Sequence, residues 1–225
     1  MKKRDRGGTF RIVLVLWAVI LWPPITSGAV VTVNLHDSIE AMGNDSNLDG
    51  TWDNFSLGPI EYLFVHNGGA GFNYRSVLEF DLSSIPTYAT IDSATFLIAY
   101  GGASGFPALS MQFNGFVGTG TIHPTDFQVQ NQIGPRFDAF GPTFPELLYR
   151  VPATAFIQSF VSNQNQFAAF MVENVTLNQT FLRGSLSSSP PLLQVAYNVP
   201  EPTSWAPAAC LGILLLSRGQ KTSQP

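Results

Sequence analysis

A single cysteine, Cys210, stands in a chain of 225 residues, and between Val30 and Asn198 there is neither a cysteine nor a lysine. Without a cysteine pair that stretch forms no disulfide. Its stability therefore rests on a hydrophobic core, with a bound metal ion as the other available support. The same absence removes a thiol nucleophile. No Gly-x-Ser-x-Gly elbow and no phosphate-binding P-loop occurs, and His36, His66 and His123 do not fall at a metal-ligand spacing such as His-x-x-x-His. Glu40, Glu61, Glu79, Glu146 and Glu173 could be joined in pairs by folding, as glycoside hydrolysis requires, but the sequence singles out no pair. The expectation is a protein that is not an enzyme.

Positive charge is scarce in the same stretch. Arg75, Arg136, Arg150 and Arg183 are its only strong bases, and against thirteen acids they leave a net charge of −9. The whole-chain value of −4 hides this, because most basic residues sit near the two ends. An acidic surface repels phosphate backbones, which argues against a nucleic-acid partner and leaves cations or neutral glycans as compatible ones.

The first 29 residues have a basic start (Lys2, Lys3, Arg4, Arg6), an apolar run of eleven residues from Ile12 to Trp22, and small residues Ser27 and Ala29 before Val30. That order predicts a secretory signal peptide cleaved after Ala29. The run is shorter than the ~20 residues a membrane helix needs, and Pro23-Pro24 would stop it. Residues 199–225 open with Val199-Pro200-Glu201-Pro202, continue through a mostly apolar stretch from Trp205 to Leu216, and close with Arg218 and Lys221. This segment resembles the PEP-CTERM sorting signal of Gram-negative bacteria. The resemblance implies that Pro200, Glu201 and Pro202 form the sorting motif before a hydrophobic helix and a basic tail. It also implies that the segment engages the membrane until an exosortase-type protease processes it, and that the protein is destined for the cell surface or extracellular matrix. Cys210 then reads as a small apolar residue of the tail helix or as a site of acylation.

The remainder, residues 30–198, has the size of one domain. Short apolar or alternating runs recur at Val30–Leu35, Ile60–His66, Tyr74–Asp81, Thr90–Tyr100, Leu109–Val117, Gln166–Glu173, Thr180–Arg183 and Leu192–Tyr197, separated by turn formers such as Asn67-Gly68-Gly69 and Gly118-Thr119-Gly120. The pattern predicts an all-β sandwich or barrel. One helix is expected over Ala153–Asn163, where Phe156, Ile157, Phe160 and Val161 share a face. Residues 134–145 read as a long loop, and Val77 and Glu79, alternating with Leu78, Phe80 and Leu82, read as the outer face of a half-buried strand.

The run Tyr74-Arg75-Ser76-Val77-Leu78-Glu79-Phe80-Asp81-Leu82-Ser83-Ser84-Ile85-Pro86, followed by Ala89-Thr90-Ile91-Asp92-Ser93-Ala94-Thr95-Phe96-Leu97, is similar to the DNRLRE-type domains. Pro190 to Tyr197 looks like that family's last strand. The resemblance implies a jelly-roll β-sandwich related to carbohydrate-binding modules, on a bacterial surface protein. Asp81, Ser83 and Ser84 are turn formers, and Arg75 would salt-bridge within the sheet or meet a ligand.

Two sets of residues are candidates for a site. Asp45, Asn47 and Asp49 alternate ahead of Gly50, and Asp53 follows. This spacing can surround a calcium ion, although Ser56 stands where a bidentate acid would complete the loop. The same residues equally suit an exposed turn-rich loop. Trp52, Phe55, Tyr62 and Tyr74 lie near predicted loops and strand ends, where a flat ring could stack on a sugar. Phe80, Phe96, Phe113 and Phe170, within strands, are expected in the core. Together these readings describe an exported, non-enzymatic surface or matrix protein associated with exopolysaccharide, with structural calcium as its one candidate cofactor. The alternatives are a structural or adhesive protein without a defined ligand and a polysaccharide-degrading enzyme.

Overall fold

The alternation of apolar and polar residues produces strands throughout. A computed structural model describes residues 29–200, apart from 69–71, 105–107, 141–147 and 177–178. The predicted signal peptide up to Gly28, and the sorting segment from Glu201 onward, lie outside the described residues. Of the sorting motif only Pro200 is described, and it is exposed. Among the described residues, eleven strands and one α-helix make an all-β unit over Ala29–Val199. The strands are β1 (Ala29–Asp45), β2 (Asn54–Leu57), β3 (Tyr62–Asn67), β4 (Asn73–Asp81), β5 (Thr90–Ser104), β6 (Ala108–Gly118), β7 (Phe137–Phe140), β8 (Leu148–Pro152), β9 (Phe167–Asn174), β10 (Gln179–Arg183) and β11 (Leu192–Val199). The helix, α1, spans Thr154–Ser162 and buries Ile157, Phe160 and Val161.

Two strands are long enough to serve two sheets. The first half of β1 pairs with β11, from Ala29 opposite Val199 to His36 opposite Leu192, and the second half pairs with β4 and β2. Likewise β5 pairs first with β11 and β8, then from Tyr100 onward with β10. The neighbours β1, β11, β5, β10, β3 and β4 return to β1, which gives the sheet a barrel-like closure. A bulge makes the switch in β1 possible: Asp37 faces Phe80 and Ile39 faces Glu79, so Ser38 is the extra residue. An inserted residue exchanges the two faces of a strand. Val31, Val33 and Leu35 pack on the main core before the bulge, whereas Met42 does so after it.

That core is filled by phenylalanines. Phe96 stacks on Phe170 with centroids 4.5 Å apart, and Phe80 meets both edge-on at 5.6 Å. Phe113 joins through Phe96 at 5.8 Å. All four rings are fully buried, as expected. Helix α1 closes one side: Gln158 Oε1 accepts the Ile91 N–H and Thr154 Oγ1 the Ala94 N–H, so polar side chains of the helix satisfy donors of β5. Among the described residues no helix is long and apolar enough to cross a membrane.

Three expectations change. β1 runs on to Asp45, ten residues beyond the predicted Leu35, because the polar residues after the bulge pair on both sides. The predicted loop over residues 134–145 contains β7, which pairs with β6. β4 is not half-buried: Val77 and Glu79 are as inaccessible as Leu78 and Phe80, because a second small core covers its outer face.

The bulge also holds a titrating group. Asp37 is half-buried beside Glu40, and burial first, then the charge of Glu40, pushes its carboxyl from 3.8 up to about 7. The folded state thus retains a proton that the unfolded chain gives up. Stability from this group is complete below about pH 4 and is lost as pH rises through about 7. The loss is about 2 kcal/mol once solvent screening of a half-buried side chain is allowed for. Urea melts of the wild type are expected to show that decline and those of Asp37→Asn to lack it. Identical pH profiles for the two would refute the assignment.

Candidate functional site

Registers place one residue set on the outer face of the sheet β1–β4–β9–β6. Gly43 lies opposite Arg75, Asp45 opposite Asn73, and Gln112 opposite Glu173, with Ala41, Val77 and Met171 further along. One end of this face is covered. Trp52, Ile122 and Phe127 pack on Ala41, Val77 and Met171 as the second core. The covering segment is a 3-10 turn over Pro124–Gln128, held from its start by Asp126, whose Oδ2 accepts the His123 N–H at 2.7 Å. Glu79, fully buried in β4, holds the approach to it by accepting the Thr119 and Gly120 N–H groups. Burial raises the Glu79 carboxyl above its ordinary value, and those two hydrogen bonds oppose the rise. Gly43 is required here, since a Cβ would stand 2.9 Å from the Phe127 ring.

The other end is open and polar. A hollow of about 300 Å3 is lined by Arg75, Glu173, Asn73, Gln112, Gln130, His66 and Tyr74, among others. A second, of about 330 Å3, shares Asn73, Arg75 and Gln130 and adds Asp45, Leu48, Gly50, Trp52 and Gln128. The two hollows are neighbours on this face and share these three residues; together they are called the groove. Its charged groups are held in place: Arg75 Nη2 pairs with Glu173 Oε2 at 2.6 Å, Nη1 donates to the Phe127 carbonyl at 2.5 Å, and the guanidinium lies 5.2 Å from the Trp52 ring centroid. Asn114 Nδ2 donates to the other Glu173 oxygen at 2.8 Å, and Gln112 Nε2 to Asn114 Oδ1 at 3.1 Å. With both oxygens engaged, the Glu173 carboxylate is fixed in place. Arg75 thus salt-bridges within the sheet and lines the groove as well.

Beside the groove runs a row of half-exposed rings. Phe64 lies 4.8 Å from Tyr74, 5.1 Å from Phe181 and 5.9 Å from His66, and Phe72 bridges His66 and Tyr74 at 5.0 and 5.5 Å. Tyr62, 36 % exposed, carries Arg183 over its ring at 4.9 Å and accepts a 2.8 Å hydrogen bond from it. A side chain at Gly101 would meet the Tyr62 ring at 3.0 Å, so glycine there makes room for it.

The four aromatics read from the sequence therefore separate. Tyr74 belongs to this row, and Tyr62 lies on β3 two positions before Phe64, beneath Arg183. Trp52 is only 6 % exposed, stacked on Phe127 at 5.3 Å, so its ring serves as a wall and not as an open stacking face. Phe55, 39 % exposed on β2, lies 6.3 Å from Phe127 at the edge of the covered end.

The loop from Asp45 to Asp53 is held by its own hydrogen bonds. Asp53 Oδ2 accepts from the Ser46 N–H and hydroxyl, Asn47 Oδ1 from the Asp49 N–H, Asp49 Oδ1 from the Thr51 N–H, and Asp45 Oδ2 from the Gly50 N–H. The bond from Thr51 holds the Asp49 carboxyl below its ordinary value. These carboxylates turn to separate backbone donors, and among the described residues no group of three or more His, Cys, Asp or Glu is placed to hold a metal ion.

Glu173, Gln112, Asn73 and Gln130 were not singled out by sequence. A signal exists in hindsight. In β4 and β9 the outward positions change from Val77 and Met171 to Arg75, Asn73 and Glu173, which is where a covered face gives way to an open one. Compared with protein-family models the chain matches none, and no curated protein matches its sequence.

Proposed function

We propose that the chain is an exported bacterial surface or matrix protein whose β domain holds polysaccharide in the groove around Arg75 and Glu173, without catalysing a reaction. The observation that carries the reading is the composition of the groove. Amides of Asn73, Gln112 and Gln130 and a fixed guanidinium–carboxylate pair lie beside Tyr74 and His66. Sugars present hydroxyls that both donate and accept, together with apolar C–H faces, and such a lining meets both needs. The crossing of β1 and β5 between two sheets, with the Tyr74–Leu97 resemblance, supports a jelly-roll description of the domain. Export through a signal peptide ending at Ala29, and sorting by an exosortase-type protease at Pro200-Glu201-Pro202, complete the proposal from the sequence.

The test is retention of the full chain on a panel of neutral polysaccharides. Replacing Gln112 and Gln130 together by alanine removes two groups worth about 1 kcal/mol each, so retention should fall about tenfold or more. The melting temperature should hardly move. A wild type retained on no glycan would overturn the reading in favour of a structural or adhesive protein without a ligand, and sugar release from the panel would favour an enzyme.

A further inference from the structure

The first half of β1 forms one sheet with β11, β5 and β8 and stands at its edge. From Ala29 to His36 it pairs with β11 on one side, and among the described residues no strand pairs with it on the other. An open edge presents unpaired backbone N–H and C=O groups, and folded proteins ordinarily blunt it with lysine, proline, a bulge or a charge. The stretch from Ala29 to His36 contains no Lys, Arg, Asp, Glu or Pro, and the bulge comes only after it, at Ser38. The other edges are short or guarded. β2 and β7 have four residues each, with Asp138 in β7, and β8 carries Arg150 and Pro152.

This edge is also complementary to itself. Val31, Val33 and Leu35 are half-buried against the main core, whereas Val30, Thr32, Asn34 and His36 are exposed. When two copies run antiparallel with Val33 opposite Val33, Val31 meets Leu35 and Thr32 meets Asn34. The apolar row then continues as an apolar row and the polar row as a polar one. Val30, 64 % exposed, gains His36 as its neighbour. A shift of two residues one way sets the Asp37 carboxyl against Val31, and the other way runs His36 past the start of β1. Although the domain carries a net charge of −9, none of its acids or arginines lies between Ala29 and His36, so the contact sets no like charges opposite each other.

We infer that the first half of β1 is a self-association surface: two copies of the chain join there as antiparallel edge strands about Val33, extending the sheet across a twofold axis. The ladder from Val30 to His36 spans about 24 Å. It uses no residue before Val30, so cleavage after Ala29 leaves it intact. One strand pair is a small interface, and a dissociation constant on the order of 10 μM is expected. The inference does not depend on the polysaccharide reading.

Oxidative cross-linking of the full chain carrying Cys210→Ser tests the register. Val33→Cys stands beside its own copy and should give a disulfide-linked dimer. Val30→Cys lies about 20 Å from its copy and should give none, since Cα atoms more than about 7 Å apart are not bridged. Sedimentation of charge variants tests the pairing. Thr32→Lys with Asn34→Lys sets like charges opposite each other and should raise the dissociation constant about tenfold or more. Thr32→Lys with Asn34→Glu sets opposite charges there and should keep the dimer. Both positions are exposed, so the melting temperature of either variant should hardly move. Equal cross-linking at Val30 and Val33, a wild type that stays monomeric well above the expected constant, or equal dimerisation of the two charge variants would overturn the inference. With Cys210 kept, a bond from Val33→Cys to Cys210 within one chain would assign the edge to the chain's own tail and overturn it as well.

Discussion

Replacing Phe127 by alanine is expected to lower the unfolding free energy by about 3–5 kcal/mol, as for other fully buried aromatic residues. The ring is inaccessible, stacks on Trp52 at 5.3 Å and lies against the backbone of β1 at Gly43. Strand backbone cannot move in to fill the space, so most of the cavity would persist. The loss would also reach the groove: Trp52 would lose its packing partner, and Arg75 is held by the Phe127 carbonyl and lies over Trp52. Urea denaturation measures the first effect and glycan retention the second. Phe127→Leu, which refills much of the volume, should cost about 1–2 kcal/mol. If Phe127→Ala costs under about 1 kcal/mol, the covered end of the sheet is not the second core described above.

Glu40→Ala should cost about 3 kcal/mol or more, because a buried acceptor of several hydrogen bonds would be removed and its donors stranded. Glu40 is 1 % exposed on β1 and accepts from the Ile60 N–H, from the Ser185 N–H at 3.1 Å and from the Ser185 hydroxyl at 2.6 Å. It thereby ties the entry to β3 to the turn between β10 and β11, 145 residues further along the chain from Glu40. Its charge is one cause of the raised Asp37 carboxyl. The alanine variant should therefore also show a weaker decline of stability between about pH 4 and about pH 7. Thermal melts at several pH values read both effects together. Glu40→Gln should keep part of the hydrogen bonding and lose the charge, so its pH profile should flatten at a smaller loss of stability. An alanine variant as stable as the wild type would show that Ile60 and Ser185 find other acceptors.

The strands with strong alternation were legible. β4, β5, β6, β9, β10 and β11 fall within a few residues of the runs read from the chain, and α1 lies inside the predicted Ala153–Asn163. Elements with weak patterns were not. β2 alternates polar and apolar residues over only four positions, too short a run to mark a strand beside a turn-rich loop, and β8 was hidden beside a turn-rich region. The second half of β1 was missed because the bulge at Ser38 reverses the inward set and places Glu40 in the interior. The burial of Trp52 was not legible for a related reason: a ring beside a turn-rich loop gives no sign of what covers it, and Phe127 lies seventy-five positions on.

What local physics dictated in this chain is the kind of structure. Residue alternation demands strands, and the lack of cysteine demands a core, here one of interlocked phenylalanines. A domain with four arginines and thirteen acids is poorly matched to anionic partners. The groove is a different matter. Asp45, Arg75, Gln112 and Glu173 come from different parts of the chain, and each alone is an ordinary polar residue. They share a face only because β1, β4, β9 and β6 are neighbours in register, a long-range pairing that no short window of sequence contains. Whether a polar side chain meets water, a partner or nothing depends on what the rest of the chain lays over it. For that reason the buried, unpaired oxygen of Asp45 emerged only once the chain was folded.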